Sequence, residues 1–138
     1  MNHYLTFDYG TTSIKACLID AELRMLAQCI EEYDLLTDDA KIEMNSEEYW
    51  NAMRRAVTQL RRRASLEQVA AICITTQGET MVPVDERGNA LCNAVVWLDS
   101  RADAQAEEIA SLVSAQTFYQ ETGLTETGGA LPLSKLLW

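Results

Sequence analysis

The sequence is poor in the residues that build metal centres, disulfide frameworks and nucleic-acid surfaces. It has one histidine and four cysteines, and no two cysteines form a CxxC pair, so a zinc site is not expected. Its 11 basic residues are outnumbered by 21 acidic ones, which gives a net charge of -10. Such a chain has no excess positive field to attract nucleic acid or an anionic membrane. No apolar run approaches the ~20 residues that span a bilayer, and no basic start precedes one, so neither export nor membrane insertion is expected.

What is present predicts an ordinary globular domain. The 138 residues, 48% of them hydrophobic and 23% charged, suffice to bury roughly two-thirds of the surface of the unfolded chain. Three of the four cysteines lie inside apolar runs, where buried free thiols are the simplest interpretation. Free thiols are typical of a reducing compartment, so we expect a cytoplasmic protein whose partners are small molecules or proteins.

Three short apolar segments open the chain. His3–Tyr9 and Ser13–Ile19 are rich in β-branched and aromatic residues, and the small link at residues 10–12 between them is a tight-turn signal. Residues 24–33 follow a polar turn. Consecutive strands joined by short turns usually pair, so the segments predict a three-stranded antiparallel meander.

A helix and a fourth strand should follow. In MNSEEYW, Asn45 can cap a helix and Glu48 can return a hydrogen bond to the backbone of Asn45. The helix should end near residue 63. Its expected apolar face comprises Tyr49 or Trp50, Met53, Val57 and Leu60. The continuous apolar run at residues 69–75 predicts a strand that is buried on both faces and parallel to the meander.

The last third of the chain predicts a hairpin and three helices. The hairpin joins residues 80–84 to residues 91–97. Ser100 can cap a helix, and Ser114 can start another that stops at Gly123. The first of these helices has the inward residues Ala102, Ala106, Ile109 and Val113.

Pro132 occupies a typical first-helical position at the start of the third helix. The apolar face of that helix begins with Leu133, Leu136 and Leu137. This face has only just been established when the sequence reaches Trp138, so we expect the chain to be a piece of a longer protein.

The turn between the first two strands carries the chemistry. Successive backbone N–H groups and the hydroxyls of Thr11 and Thr12 suit an anion, and Gly10 lets phosphate oxygens approach the backbone closely. Asp8 beside it could hold Mg²⁺, through water because this ion dehydrates reluctantly. Lys15 could reach the same phosphates. On these residues alone, a plain hairpin turn is an equally good interpretation.

Two stretches carry a family resemblance. FDYGTTSIKACLID resembles the opening phosphate loop of the sugar kinase, chaperone and actin superfamily. ICITTQGETMVPVDERGNALCNAVVWLDSRA, residues 72–102, resembles the N-terminal domain of the FGGY carbohydrate kinases. The resemblance implies an α/β fold, a ribonuclease H-like (actin-like ATPase) domain. It also implies ATP-dependent phosphorylation of a sugar or polyol hydroxyl in a cleft between two such domains. Residues 1–138 would then be the N-terminal part of the first domain, the second being absent from this chain, and a homodimer stays open.

The resemblance also implies roles for individual residues. Asp8 would be the Mg²⁺-associated carboxylate, and the turn residues Gly10, Thr11 and Thr12 would bind phosphate. The stretch from Thr76 to Thr80, with Gln77, Gly78 and Glu79 at its centre, would lie at the sugar pocket.

Three further residues would serve the same pocket. Trp97 would pack against the carbon skeleton of the ligand, while Asp99 and Arg101 would bind hydroxyls or brace the pocket. Simpler interpretations stand beside these: Trp97 as a core residue, Arg101 as a surface residue of a first helical turn, and Glu79 as a charge at a hairpin edge.

Departures from the family pattern bear on the substrate. Glycerol kinases typically place an arginine where this chain has Gly78, which removes a forked donor and counts against glycerol. Xylulose kinases usually show Gln-Met-His-Gly, and neither that methionine nor that histidine follows Gln77. The sugar is therefore not identified.

The family's catalytic base lies beyond the position of Trp138, so the chain alone should be catalytically incomplete. Two other functions stay open: a nucleotide-regulated chaperone or actin-like assembly protein, and an inactive interaction domain.

Overall fold

The computed structural model describes residues 2–138, in which the chain divides into two compact units. The first unit comprises the residues up to Asp34 together with Asn45–Gln77, and the second comprises Leu35–Met44 and Gly78–Trp138. The elements are, in order, β1 (His3–Tyr9), β2 (Ser13–Ile19), β3 (Met25–Glu32), β4 (Leu36–Asp38), β5 (Lys41–Met44), α1 (Glu47–Arg61), β6 (Val69–Thr76), β7 (Ala94–Val95), α2 (Asp103–Leu112), α3 (Ala115–Thr122) and α4 (Pro132–Leu137).

The first unit is built on a four-stranded sheet in the order β3-β2-β1-β6. β1, β2 and β3 pair antiparallel, which confirms the predicted meander. Phe7, Ala16 and Cys29 lie in register across the three strands, and all three are buried. Alternating residues of these strands therefore form one buried face.

Helix α1 contacts β2 and β3. The predicted cap is partly confirmed: the Asn45 Oδ1 atom accepts from the Glu47 N–H at 3.0 Å. The predicted return bond from Glu48 is wrong, because Glu48 forms an ion pair with Arg55 at 2.6 Å. Of the two aromatic candidates for the inner face, Trp50 is exposed, whereas Tyr49 is half-buried. The fully buried residues of α1 are Ala52, Ala56 and Leu60.

Strand β6 lies parallel to β1, as the sequence predicted, and forms one edge of the sheet. Its predicted burial on both faces is wrong: Ile72 and Ile74 are more than half exposed. The physical reason is the position of α1. The helix contacts β2 and β3, toward the opposite edge of the sheet from β6. An apolar run thus identifies a strand without identifying what covers it.

The second unit contains a three-stranded antiparallel sheet in the order β4-β5-β7. The β4–β5 hairpin was not predicted, because its strands have only three and four residues. The predicted hairpin of residues 80–84 with 91–97 is confirmed in its antiparallel pairing but does not form two continuous strands. Met81 and Val95 exchange both backbone hydrogen bonds, the Leu91 N–H donates to the Pro83 carbonyl oxygen, and Val84 pairs with Ala90, one residue before the predicted second strand. Pro83 has no N–H to extend the ladder.

Two of the three predicted helices in the second unit, α3 and α4, begin and end close to their predicted limits. In α3, Ser114 Oγ accepts from the Thr117 N–H at 3.1 Å, and Gly123 ends the helix with φ of 76°. Helix α2 begins at Asp103, later than predicted from Ser100. Its buried residues, together with the residue before it, are Ala102, Ala106 and Ile109.

Helix α4 forms where predicted but buries the opposite side. Leu133, Leu136 and Leu137 are exposed, whereas Ser134 and Lys135 are buried. Among residues 2–138, none of the helices combines the length and the apolar character that crossing a bilayer requires.

Candidate functional site

The turn between β1 and β2 is held by its own backbone. The Gly10 N–H donates to the carbonyl oxygen of Ser13 at 2.9 Å, and the carbonyl oxygen of Thr12 accepts from the Tyr33 N–H at 3.0 Å. A Cβ atom on Gly10 would lie 3.2 Å from the Ser13 oxygen, closer than most packed structures allow. We call residues Gly10, Thr11 and Thr12 the phosphate turn.

Tyr33 ties the phosphate turn to the interior of the first unit. Its hydroxyl donates to the carbonyl oxygen of Gly10 and lies 3.1 Å from that of Ser13. Burial, with the neighbouring Tyr49, Tyr9 and Asp8, raises the pKa of Tyr33 above its ordinary value. The hydroxyl therefore stays protonated and remains a hydrogen-bond donor throughout the neutral range.

Two opposite charges stand beside the phosphate turn. Asp8 near the end of β1 is in register with Lys15 of β2, and both side chains are exposed. Directly paired residues of antiparallel strands project from the same face with Cβ atoms about 5 Å apart. A single exposed carboxylate fits Mg²⁺, which is commonly held by one or two carboxylates with water and phosphate as its other ligands. Among residues 2–138, no three His, Cys, Asp or Glu side chains converge as a metal-binding group.

Gln77 lies at the same end of the sheet. Its backbone N–H donates to the Tyr9 carbonyl oxygen at 2.8 Å, and its Nε2 atom donates to the Tyr49 hydroxyl at 3.0 Å. The Oε1 atom of Gln77 is buried without a hydrogen-bond partner. The structure thus brings Gln77 together with the residues predicted to bind phosphate.

In the second unit, Glu79 sits in a tight turn beside Trp97. The Thr80 N–H donates to the Gly78 carbonyl oxygen at 2.8 Å, and Glu79 between them has φ of 63°. The Thr80 Oγ1 atom accepts from the Trp97 N–H at 3.1 Å. Trp97 is 38% exposed, so its ring is not a core residue and has surface to offer a ligand.

Asp99 and Arg101 form a buried ion-pair network with Glu43. The Nη2 atom of Arg101 lies 2.7 Å from Asp99 Oδ2 and 2.6 Å from Glu43 Oε1. Asp99 Oδ2 also accepts from the Ile42 N–H at 2.6 Å, and Glu43 Oε2 accepts from Asn93 at 2.9 Å. These contacts hold the surrounding backbone in place. Of the two roles that the sequence left open for Asp99 and Arg101, binding hydroxyls or bracing the pocket, they fit the second.

The network fixes the charges of its members. Burial alone would raise the pKa of Asp99, but hydrogen bonds from the Arg101 side chain and the Ile42 N–H outweigh it and hold that pKa below its ordinary value. The pKa of Glu43 is lowered by hydrogen bonds from Asn93 and Arg101. The hydrogen bond to Asp99 raises the pKa of Arg101 further. All three groups are therefore charged at neutral pH.

A buried lysine, which the sequence did not single out, lies in the same unit. The Nζ atom of Lys135 donates to the Val96 carbonyl oxygen at 2.8 Å. Burial lowers the pKa of Lys135, while Asp99 and Glu79 act to raise it. A lysine within the leucines of α4 was the available sequence signal. For Tyr33 and Tyr49 no such signal exists, because an aromatic residue in the sequence is just as well explained as part of the core.

The predicted site residues are therefore divided between the two units. The phosphate turn, Asp8, Lys15 and Gln77 belong to the first unit. The second unit contains Gly78, Glu79, Trp97, Asp99 and Arg101.

A sequence model of the FGGY family of carbohydrate kinases, N-terminal domain, matches residues 3–138. The chain is 34% identical to the glycerol kinase of Thermococcus onnurineus over 139 residues, which cover 97% of the chain and 27% of that enzyme. It is 37% identical to the glycerol kinase of Thermococcus gammatolerans over 112 residues, 78% of the chain and 22% of that enzyme. The chain therefore spans about a quarter of the length of these relatives.

Solved structures give the same fold. A xylulose kinase from Lactobacillus acidophilus matches with a TM-score of 0.88 at 24% identity, over 100% of this chain and 28% of that one. The glycerol kinase of Plasmodium falciparum with ADP matches with a TM-score of 0.85 at 26% identity, over 100% and 28%. These likenesses confirm the predicted fold class.

Proposed function

Because the chain belongs to the FGGY family of carbohydrate kinases, we propose that it works in a kinase that transfers the γ-phosphoryl group of ATP to a hydroxyl of a sugar or polyol. In this proposal, residues 1–138 are the N-terminal part of the first of two ribonuclease H-like domains. The family assignment decides against a chaperone or an actin-like assembly protein.

The observation that carries the proposal is the geometry of the phosphate turn. Its backbone is fixed by hydrogen bonds at both Gly10 and Thr12, while the exposed Asp8 and Lys15 stand beside it. Phosphoryl transfer depends chiefly on positioning and on neutralising charge. The Gly10 N–H is bonded to Ser13, so the N–H groups that follow it in the turn and the hydroxyls of Thr11 and Thr12 would bind phosphate oxygens. Asp8 would hold Mg²⁺ through water. The bound Mg²⁺ would supply charge neutralisation on the transferred phosphoryl group.

The acceptor would be bound from the second unit. Glu79 would accept hydrogen bonds from its hydroxyls, and the half-exposed Trp97 ring would pack against its carbon skeleton. Asp99 and Arg101 would hold the surrounding backbone. The names of the similar proteins, which are glycerol and xylulose kinases, support a small polyol or sugar as the acceptor.

The catalytic base is not assigned to any residue of this chain. Asp8 would be occupied by the metal, and Glu79 by the acceptor. We therefore propose that the chain alone does not turn over. We also propose a cytoplasmic location, which the four free cysteines support.

The test is ADP release by the product of the full reading frame that contains this chain, with a panel of glycerol, pentuloses, hexuloses, aldoses and sugar acids. The 138-residue chain is the control. Acceptor-dependent release by the longer product alone is the expected result. Turnover by the chain itself would refute its incompleteness, and acceptor-independent release or none would favour an inactive domain.

A further inference from the structure

We propose that Tyr33, Tyr49 and Gln77 form a brace that positions the phosphate turn, and that Gln77 serves phosphate binding rather than acceptor recognition. The inference deepens the proposed function and rests on it. We call these three residues the tyrosine brace.

The first contact of the brace is made by the Tyr33 hydroxyl. It has one proton, which it donates to the Gly10 carbonyl oxygen, while the Ser13 carbonyl oxygen lies 3.1 Å away. The Tyr33 N–H holds the Thr12 carbonyl oxygen at 3.0 Å. One buried residue thus bonds the turn at both its ends. The carbonyls that it holds fix the orientation of the peptide planes whose N–H groups must face an anion.

The second part of the brace connects Tyr33 to Gln77. The Tyr33 and Tyr49 rings meet edge to face with centroids 5.6 Å apart, and Tyr49 meets Tyr9 in the same way at 5.9 Å. Such pairs favour a defined relative orientation beyond simple burial. The Tyr49 hydroxyl accepts from Gln77 Nε2 at 3.0 Å, so the side-chain amide of Gln77 helps to fix the ring that packs on Tyr33.

Gln77 is committed to this role by two bonds. Its backbone N–H is bonded to the Tyr9 carbonyl oxygen, and its side-chain donor is bonded to Tyr49. Its remaining polar atom, Oε1, is buried, and a buried atom is not open to a sugar hydroxyl. The residue therefore acts on the phosphate end of the site as a positioning residue.

The first experiment measures amide hydrogen exchange at residues 10–13 in the 138-residue chain. Tyr33→Phe keeps the ring and removes only the hydroxyl, and Tyr49→Phe removes the acceptor of Gln77. The matched control is Tyr119→Phe, at an exposed tyrosine of α3. We expect about tenfold faster exchange in Tyr33→Phe, the effect of losing one hydrogen bond, a smaller increase in Tyr49→Phe, and none in the control. Unchanged exchange in Tyr33→Phe would overturn the brace.

The second experiment separates phosphate binding from acceptor binding. In the product of the full reading frame, Tyr49→Phe and Gln77→Leu should raise KM for ATP several-fold and leave KM for the acceptor unchanged. A rise in the acceptor KM alone would return Gln77 to the sugar pocket and overturn the inference. Absence of phosphoryl transfer in the unsubstituted protein would refute the proposed function instead, and the exchange rates would still decide whether the brace exists.

Discussion

The Thr80 N–H donates a hydrogen bond of 2.8 Å to the Gly78 carbonyl oxygen. This bond closes a three-residue turn in which Glu79 has φ of 63°. A γ-turn with positive φ is rare and strained, and a non-glycine residue held there costs on the order of 1–3 kcal/mol. Strain of this kind persists where the surrounding structure enforces it, and here it falls on the carboxylate that we propose to bind the acceptor.

Replacing Glu79 by glycine should relieve the backbone strain at this position. Glu79→Gly should leave the free energy of unfolding unchanged or raise it by up to about 1 kcal/mol, because glycine adopts positive φ without strain. Urea unfolding of the 138-residue chain measures this. The matched control is Glu86→Gly, at an exposed residue without positive φ, which should lose about 0.5–1 kcal/mol. Equal losses in both variants would contradict the assignment of strain to Glu79.

Removing the Arg101 guanidinium from the buried network should lower the free energy of unfolding. Arg101→Met leaves Asp99, which is fully buried, without its ion-pair partner, and we expect a loss of about 3–5 kcal/mol. The control is Glu22→Gln, because Glu22 pairs with Arg24 at 3.2 Å and both side chains are more than half exposed. That pair should contribute about 0–1 kcal/mol. Similar losses in the two variants would show that the network does not stabilise the fold.

The same network predicts that the stability of the fold decreases at acidic pH. The folded-state pKa values of Asp99 and Glu43 lie below their ordinary values of 3.8 and 4.5. Stability from these groups is therefore fully present above those values and is lost as the pH falls through the lowered ones, since the unfolded state binds more protons in that window. Urea unfolding from pH 6 to pH 2 should show this loss. It should be shallower in Glu43→Gln, and an identical slope would contradict the shift at Glu43.

Local patterns predicted some elements well and others poorly. The β1–β2 hairpin and α3 were predictable because a glycine-containing turn, a serine cap and a C-terminal glycine act within a few residues. The burial of β6 and the inner face of α4 were not, because both depend on which element lies opposite. The phosphate turn could be predicted from its residues, but its contacts with Tyr33 could not, because the two are joined across three strands.

Helix α4 makes this contrast testable. Lys135 is 4% exposed and Leu136 is 72% exposed, the reverse of what hydropathy predicts. Lys135→Met keeps most of the side-chain volume but removes one of the two hydrogen bonds to the Val96 carbonyl oxygen, which also accepts from the Asp99 N–H at 2.9 Å; the loss should be about 0.5–1.5 kcal/mol. Leu136→Ala should change stability by no more than about 0.5 kcal/mol. Thermal unfolding of both variants checks the prediction, and a larger loss in Leu136→Ala would show that the leucine face is the buried one.

Gly78 offers a test of acceptor choice that leaves the fold intact. A Cβ atom on Gly78 would meet no heavy atom within 4 Å, and φ at Gly78 is not positive, so Gly78→Arg should change stability by no more than about 0.5 kcal/mol. The new guanidinium would add a forked donor next to Glu79, which suits adjacent hydroxyls. In the product of the full reading frame, kcat/KM for glycerol should therefore rise relative to that for the preferred acceptor. Gly78→Met has similar bulk without the donors, so an equal shift in that variant would assign the change to shape and not to hydrogen bonding.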